Sequence, residues 1–230
     1  MSRSQHAAVL YAALGAVHVA AAAVGSTWVD AVTKPLLIPA LALYAIAAHR
    51  EHGARVSHRL LLSLALACAG GVALKVDSPA GLIVGMGFFL AAYTIYVVEF
   101  VRSGAAGRLR RWPRCLVPIG YGTAVTAVMA WLWQGLRRSG VALPMAGYAA
   151  LMALMASTAT TWGWRVGLGG SLLVASDTLI GIHLAEAADV PGRSALVMAT
   201  YLLGLSLVVG GWPAHCVARG SDDQWGGRVA

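Results

Sequence analysis

The chain has 230 residues, of which 59% are apolar and only 11% are charged, and its mean hydropathy is +0.72. Soluble domains carry about 25% charged residues, so this composition excludes a water-soluble globule and predicts an integral membrane protein. The formal net charge of +8 comes mostly from arginines in short segments between apolar runs. That distribution indicates lipid headgroups and membrane topology rather than a nucleic acid as the partner of the positive charge.

Eight apolar runs follow one another along the chain, and most of them are long enough to cross the hydrocarbon core. Because lipid cannot satisfy backbone polar groups, each run is predicted to be a helix. The runs cover residues 7–24, 32–48, 60–76, 80–101, 115–136, 141–160, 166–187 and 194–217. They predict an all-α, polytopic membrane bundle of eight transmembrane helices, formed by a single domain over residues 1–218. A short polar C-terminal tail over residues 219–230 follows it.

The orientation of the bundle follows from its basic residues. If the N-terminus is inside, twelve of the seventeen lysines and arginines fall in inner segments and five in outer ones. Positive loops stay in the cytoplasm, so both termini are predicted to be cytoplasmic. The first run could instead be a cleaved signal peptide, since Arg3 precedes a short apolar stretch that ends in small residues near Gly25. Arginine outnumbers lysine fifteen to two, which is typical of a GC-rich bacterial genome and points to a bacterial plasma membrane.

An acid, Asp177, lies near the middle of the seventh run, in "GGSLLVASDTLIGIHLAEA". An aspartate at the centre of a spanning helix costs roughly 2.5–3.5 kcal/mol on insertion scales, so it must have a compensating environment. Intramembrane acids face cavities or polar partners and often carry function. Asp177 is therefore the leading functional candidate, and a buried acid that is merely hydrogen-bonded to a neighbouring helix is the structural alternative.

A cation, Lys34, opens the second run in "TKPLLIP". Thr33 is a natural N-cap and Pro35 fits the first turn of a helix, but a cation there opposes the helix dipole. Helix stability therefore does not explain Lys34. It either extends to the outer headgroups or approaches Asp177 and holds the phosphate of a lipid.

Other polar side chains are weaker candidates. Tyr93 and Tyr96 form a polar stripe on the fourth run, and Ser176, His183 and Glu186 share a face of the seventh run. A serine nucleophile needs its base within hydrogen-bond reach, and two helical turns, about 10 Å, separate the serine from the histidine. This spacing argues against a serine hydrolase.

The three histidines in "HREHGARVSHR", His49, His52 and His58, suggest a metal, but the arginines between them oppose a cation. The three cysteines lie in or beside separate apolar runs without metal-ligand spacing. Neither a metal nor a cofactor is therefore expected.

Four motifs, in chain order, resemble those of the YhhN-type membrane proteins, which include lysoplasmalogenases. They are "TKPLLIPALALY", "GMGFFLAAYTIYVVEF", "GGSLLVASDTLIGI" and "MATYLLGL". The resemblance covers nearly the whole chain and implies an eight-helix fold that hydrolyses the vinyl ether of a lysoplasmalogen. The expected products are a fatty aldehyde and a glycerophospho-base.

The resemblance also implies site residues, of which Asp177 and Lys34 are expected to be catalytic. By the same resemblance, Tyr96 is expected to line the pocket and bind substrate. The polar stripes described above add Tyr93, Ser176 and His183 as residues that are expected to bind substrate. The expected partners are a lysophospholipid substrate and the surrounding membrane lipids.

The chain departs from the family pattern at Gly71, Tyr93 and Gly204, where the family usually carries aspartate, histidine and glutamine. A second acid and two hydrogen-bonding side chains are therefore expected to be missing. Asp77, six residues after Gly71, would supply an acid if the third helix ended early. A single acid can donate a proton and then act as a base, although two acids divide these roles more readily.

Two further functions stay open at this point. The chain could be a non-catalytic lipid-binding protein of the same fold, or a small transporter that uses Asp177 as its proton site. Transporters often show repeated halves with paired broken helices, and neither feature is evident in the sequence.

Overall fold

The structure is a computed structural model that describes residues 1–76 and 78–225, with residues 213–225 described by their backbone alone. These residues form helices and no strands. The helices are α1 (Arg3–Val24), α2 (Thr27–Glu51), α3 (His58–Ala73), α4 (Pro79–Arg102), α5 (Ala105–Leu109), α6 (Leu116–Arg138), α7 (Ala142–Ala159), α8 (Trp164–Leu184) and α9 (Arg193–Trp225). A 3-10 turn, Thr160–Trp162, lies between α7 and α8.

The predicted all-α membrane bundle is confirmed, because seven of the described helices are long and apolar enough to span a membrane. The remaining predicted span is α3, which is apolar but has 16 residues. At 1.5 Å per residue it covers about 24 Å, less than the roughly 30 Å of a hydrocarbon core. The count of eight spans and the cytoplasmic termini therefore stay predictions. So does the boundary after residue 218, since the described backbone of α9 continues to Trp225.

Local sequence accounts for several helix ends. The Ser2 side chain caps α1 by accepting a hydrogen bond from the Gln5 amide, and Gly25 ends this helix in the left-handed region at a φ of 71°. The Ser78 side chain caps α4, whose first residue is Pro79.

The second helix begins earlier than predicted. α2 starts at Thr27, so Thr33 is not its N-cap and Lys34 lies beyond its first turn. The consecutive pairs α1–α2, α2–α3, α3–α4, α6–α7, α7–α8 and α8–α9 pack side by side, and α4 also packs against α7.

Close helix contacts occur where glycines meet. A Cβ added to Gly169 of α8 would lie 2.7 Å from the carbonyl oxygen of Gly204 on α9. A Cβ added to Gly204 would lie 2.8 Å from the carbonyl oxygen of Gly169. On α3 and α4, a Cβ at Gly85 would lie 3.2 Å from the carbonyl oxygen of Gly70. Such backbone approach is the usual way in which membrane helices pack without large side chains between them.

An aromatic cluster fills the core toward the end of the bundle that is predicted to be cytoplasmic. Its members are Tyr96, Phe100, Trp162 and Trp212, all of which are buried. Neighbouring rings have centroids 4.9–6.3 Å apart, a spacing typical of packed aromatic side chains. Two cavities, both lined by Lys34, lie in the other half of the core, on the side of the α1–α2, α3–α4, α6–α7 and α8–α9 connections.

Candidate functional site

The partly buried carboxyl group of Asp177 is held by two tyrosines from other helices. Tyr148 of α7 donates a hydrogen bond to Oδ2 over 2.5 Å, and Tyr93 of α4 donates to the same oxygen over 3.3 Å. Both tyrosines are themselves buried. Three helices thus converge on one carboxyl group and fix its orientation.

The two oxygens of Asp177 have different surroundings. Both tyrosine hydrogen bonds go to Oδ2, and within the part of the chain that the structure describes none goes to Oδ1. A protonated carboxyl group whose Oδ2 accepts two hydrogen bonds carries its proton on Oδ1. Oδ1 is therefore the oxygen that remains available to another molecule.

Asp177 lines a central cavity among α2, α3, α4, α7, α8 and α9, with about 850 Å³ of empty space that is partly open to the surroundings. Most of its wall is apolar. Its polar side chains are Lys34, Cys68, Tyr148, Ser176, Asp177 and Tyr201. The hydroxyl of Tyr201 is buried and has no hydrogen-bond partner in the described part of the chain. The cavity thus combines an apolar wall with a few polar groups near one acid, as small-molecule sites commonly do.

Lys34 lies where the central cavity meets a second, wider space, which we call the vestibule and which Asp30, Lys34, His183 and Arg193 help to line. The vestibule opens at the end of the bundle that is predicted to be external. Among the residues described, Lys34 has no carboxylate within 4 Å, although Asp30 lies near enough to attract it electrostatically. An ammonium group without an ion-pair partner at this junction is suited to an anion such as a phosphate.

Sequence reasoning missed Asp30, whose carboxylate belongs to a polar cluster at the base of the vestibule. It pairs with Lys75, and its Oδ1 lies 3.4 Å from Nε2 of the buried His18. The other ring nitrogen of His18, Nδ1, lies 2.6 Å from Oγ1 of Thr33. Asp30 gave no sequence signal, because an acid in the first turn of a helix is ordinary.

A third space, which we call the apolar groove, lies between α6, α7 and α8 and has about 750 Å³ of empty volume. Val125, Val128 and Leu132 of α6 and Met152 of α7 form much of its wall. Asp177 and Tyr148 line both the groove and the central cavity. The acid thus stands in the wall where the two spaces meet.

The structure brings only some of the predicted site residues together. Ser176 lines the central cavity, but its hydroxyl donates to the carbonyl oxygen of Val197 on α9 over 3.0 Å. His183 is exposed and lines the vestibule, away from Asp177. Tyr96 is fully buried in the aromatic cluster and lines neither the central cavity nor the groove. Tyr93 contacts the acid itself.

Tyr148 is the residue at the acid that sequence reasoning missed. It lies in an apolar run of α7, where a tyrosine resembles ordinary packing. Its partner Asp177 is 29 positions away in the chain, so no local spacing connects the two. A search for tyrosines near the middle of other spans would have included it.

The three departures from the family pattern have different meanings in the structure. Gly71 lines the central cavity, and a Cβ added there would meet only Lys34 Cε, at 4.0 Å, so a larger side chain has room. Gly204 lies in the tight α8–α9 contact, which leaves no space for a glutamine side chain. Tyr93 donates to Asp177, so the expectation of a missing hydrogen-bonding group is wrong at this position. Asp77 lies outside the described residues.

Comparison with models of protein families gives a match over most of the chain. The model of the YhhN family matches residues 29–212, a range that includes Lys34, Tyr148 and Asp177. No curated protein and no solved structure gives a significant match.

Proposed function

Because the chain belongs to the YhhN family, we propose that it is a membrane-embedded hydrolase of the lysoplasmalogenase type. Its substrate would be a single-chain lysophospholipid whose chain is joined through a vinyl ether. The observation that carries the proposal is the carboxyl group of Asp177, which lines a cavity that also contains Lys34. Tyrosines fix it through Oδ2, and no residue in the described part of the chain bonds Oδ1. Location in a bacterial plasma membrane, with the vestibule on the external side, is part of the same proposal.

The proposed reaction begins with proton transfer to carbon. The neutral acid gives the proton of Oδ1 to the vinyl carbon that is farther from the ether oxygen, and the C=C electron pair forms the new C–H bond. The other vinyl carbon becomes an oxocarbenium ion, which water attacks. The resulting hemiacetal breaks its bond to the glycerol oxygen, which takes up the proton that the hemiacetal hydroxyl releases. The products are a fatty aldehyde and a glycerophospho-base. One water is consumed, and no oxidant or reductant is needed.

Asp177 serves twice in this scheme, as is possible for a single carboxyl group. After it gives up its proton, the two tyrosine hydroxyls stabilise the carboxylate that remains. The negative charge also stabilises the neighbouring oxocarbenium ion. The carboxylate then takes a proton from the attacking water, which restores the neutral acid for the next cycle.

Lys34 would bind the phosphate of the substrate. Lys34 lies at the junction of the vestibule and the central cavity, so an anion bound to it would lie on the vestibule side of Asp177. In a lysoplasmalogen only the short glycerol unit separates the phosphate from the vinyl ether. A phosphate at Lys34 therefore directs the ether into the central cavity, where Asp177 lies.

A non-catalytic lipid-binding function is the second candidate, and one observation favours it. Within the described part of the chain, Asp177 is the only carboxylate that lines the central cavity. If the protein only binds lipid, wild type releases no product, and the double variant Gly71→Asp with Tyr93→His gains turnover. Gly71 has room for the added carboxylate.

The test is release of aldehyde from a lysoplasmalogen by the purified full-length protein in lipid nanodiscs. The control substrate is the saturated ether of the same chain length, which cannot accept a proton at carbon. The proposal expects aldehyde from the vinyl ether only. Binding of both lipids without any product would contradict it and favour the non-catalytic function. Protonophore-sensitive uptake of a solute into proteoliposomes, without hydrolysis, would instead favour a transporter.

A further inference from the structure

The central cavity and the apolar groove meet at Asp177 and differ in their polar content. The central cavity contains Lys34 at its vestibule end, whereas the groove has no lysine, arginine or histidine among the described residues that line it. Apart from the acid, its polar side chains are Tyr121, Tyr148 and Thr178. An amphiphile with one charged end and one apolar end that occupied both spaces would therefore have a single favoured orientation.

We propose that the hydrocarbon chain of the substrate occupies the apolar groove between α6, α7 and α8, an inference that rests on the function proposed above. The lipid then passes from the vestibule, through the central cavity, to the groove. Its phosphate lies at Lys34, its ether bond lies at Asp177, and its chain continues past Tyr148.

The register of α6 against α8 places the acid partway along the groove. Tyr121 and Ser171 share a hydrogen bond of 2.6 Å toward the end that is predicted to be cytoplasmic. Ser171 precedes Asp177 by six residues, which is about 9 Å along the helix axis. That space holds only the first part of a long chain.

The rest of a long chain has a way out to the bilayer. Ala124 lines the groove and is exposed, and α6 is the least buried of the described helices that are long enough to span the membrane. The side of the groove at Ala124 thus opens toward the acyl chains of the membrane. The two products would separate by polarity, the aldehyde leaving through the groove and the glycerophospho-base through the vestibule.

Two bulky substitutions test the groove at two depths. Ala149→Phe narrows it next to Tyr148, and Ala124→Trp blocks its exposed mouth. Ala65→Trp is the matched control, because Ala65 is an exposed alanine in an apolar crevice of α2 and α3 that lacks Asp177. The assay compares a lysoplasmalogen with a long alkenyl chain and one with half that length.

Ala124→Trp is expected to raise KM for the long chain about tenfold, because the added ring overlaps the path of the chain and steric overpacking typically costs about 1–3 kcal/mol. It is expected to leave the short chain unaffected. Ala149→Phe is expected to impair both substrates, and Ala65→Trp neither. If wild type hydrolyses both substrates and the two groove variants behave like Ala65→Trp, the groove assignment is wrong while the proposed function stands.

Photolabelling tests the groove without requiring turnover. A lysophosphatidylcholine with a diazirine partway along its chain, in the part that the groove would hold, is irradiated with the full-length protein, with and without an excess of unlabelled lipid. The groove assignment expects displaceable labelling of α6 between Tyr121 and Val128, which Ala124→Trp removes and Ala65→Trp retains. Displaceable labelling confined to α3 and α4, or labelling that the unlabelled lipid does not displace, would overturn it even in a protein that hydrolyses nothing.

Discussion

Two aspartates lie on different sides of Lys34, and their partners differ in charge. Asp30 faces the vestibule, where it pairs with Lys75 and approaches the ring of the buried His18. Asp177 faces the central cavity. The hydrogen bonds that the structure gives it come from tyrosine hydroxyls.

The difference separates an acid suited to a structural role from one suited to chemistry. An acid that is paired with a cation cannot be protonated without loss of its ion pair, so Asp30 is suited to joining α1, α2 and the α3–α4 connection. An acid held by neutral donors can lose and regain a proton while its neighbours stay in place. Asp177 is of the second kind. Substitutions of the two acids and of their neighbours test whether Asp177 transfers protons while Asp30 only stabilises the fold.

The largest effect among the neighbouring residues is expected for Tyr148→Phe. A hydrogen bond to a charged group contributes about 1.5–3 kcal/mol, so loss of the shorter tyrosine bond should lower kcat about ten- to a hundredfold. Aldehyde release at saturating substrate measures this. Tyr11→Phe is the control, because the Tyr11 hydroxyl donates to the carbonyl oxygen of Leu202, 2.8 Å away in another part of the bundle. Equal losses of kcat in both variants would contradict a role for Tyr148 at the acid.

A smaller effect, on substrate binding, is expected for Lys34→Met, which keeps most of the apolar stem and removes the charge. KM should rise about tenfold with little change in kcat, because the charge-assisted bond to phosphate is lost. Lys75→Met is the control, since Lys75 is paired with Asp30 and should affect stability more than KM. A similar rise of KM in both variants would indicate that the lysines attract the anionic substrate without specificity, and it would contradict a phosphate site at Lys34.

The smallest effect on turnover is expected for Asp30→Asn. This change removes the partner of Lys75 and should lower the free energy of unfolding by about 1 kcal/mol, as for a half-exposed ion pair. Thermal unfolding in detergent should show a lower midpoint, while kcat stays within a few-fold of wild type. A variant as stable as wild type but without turnover would place Asp30, not Asp177, in the chemistry.

Much of the fold was predictable because membrane helices are specified locally. Long apolar runs bounded by arginines and prolines mark the spans, and the structure shows helices in all eight predicted runs. The third run was predicted to reach residue 76, but α3 ends at Ala73. Because the sequence stays apolar past the last hydrogen-bonded turn of α3, hydropathy alone does not locate the end of this helix.

The candidate site was predictable only where a residue conflicts with its surroundings. Asp177 is conspicuous in an apolar helix. Lys34 is conspicuous as a cation in an apolar run, but the predicted conflict with the helix dipole is wrong, because α2 begins at Thr27 and this lysine lies beyond its first turn. Tyr148 and Asp30 suit their local sequence and gave no signal. Their partners are distant in the chain, so only the tertiary structure identifies them.

Turnover by Asp177→Asn, measured as aldehyde release from a lysoplasmalogen in nanodiscs, tests the central claim most directly. The matched control is Asp189→Asn, which removes an exposed aspartate between α8 and α9. Loss of the general acid should lower kcat at least about a hundredfold, with lipid binding and thermal unfolding unchanged. The control should keep wild-type turnover. Wild-type turnover in Asp177→Asn would contradict the claim that this carboxyl group delivers the proton.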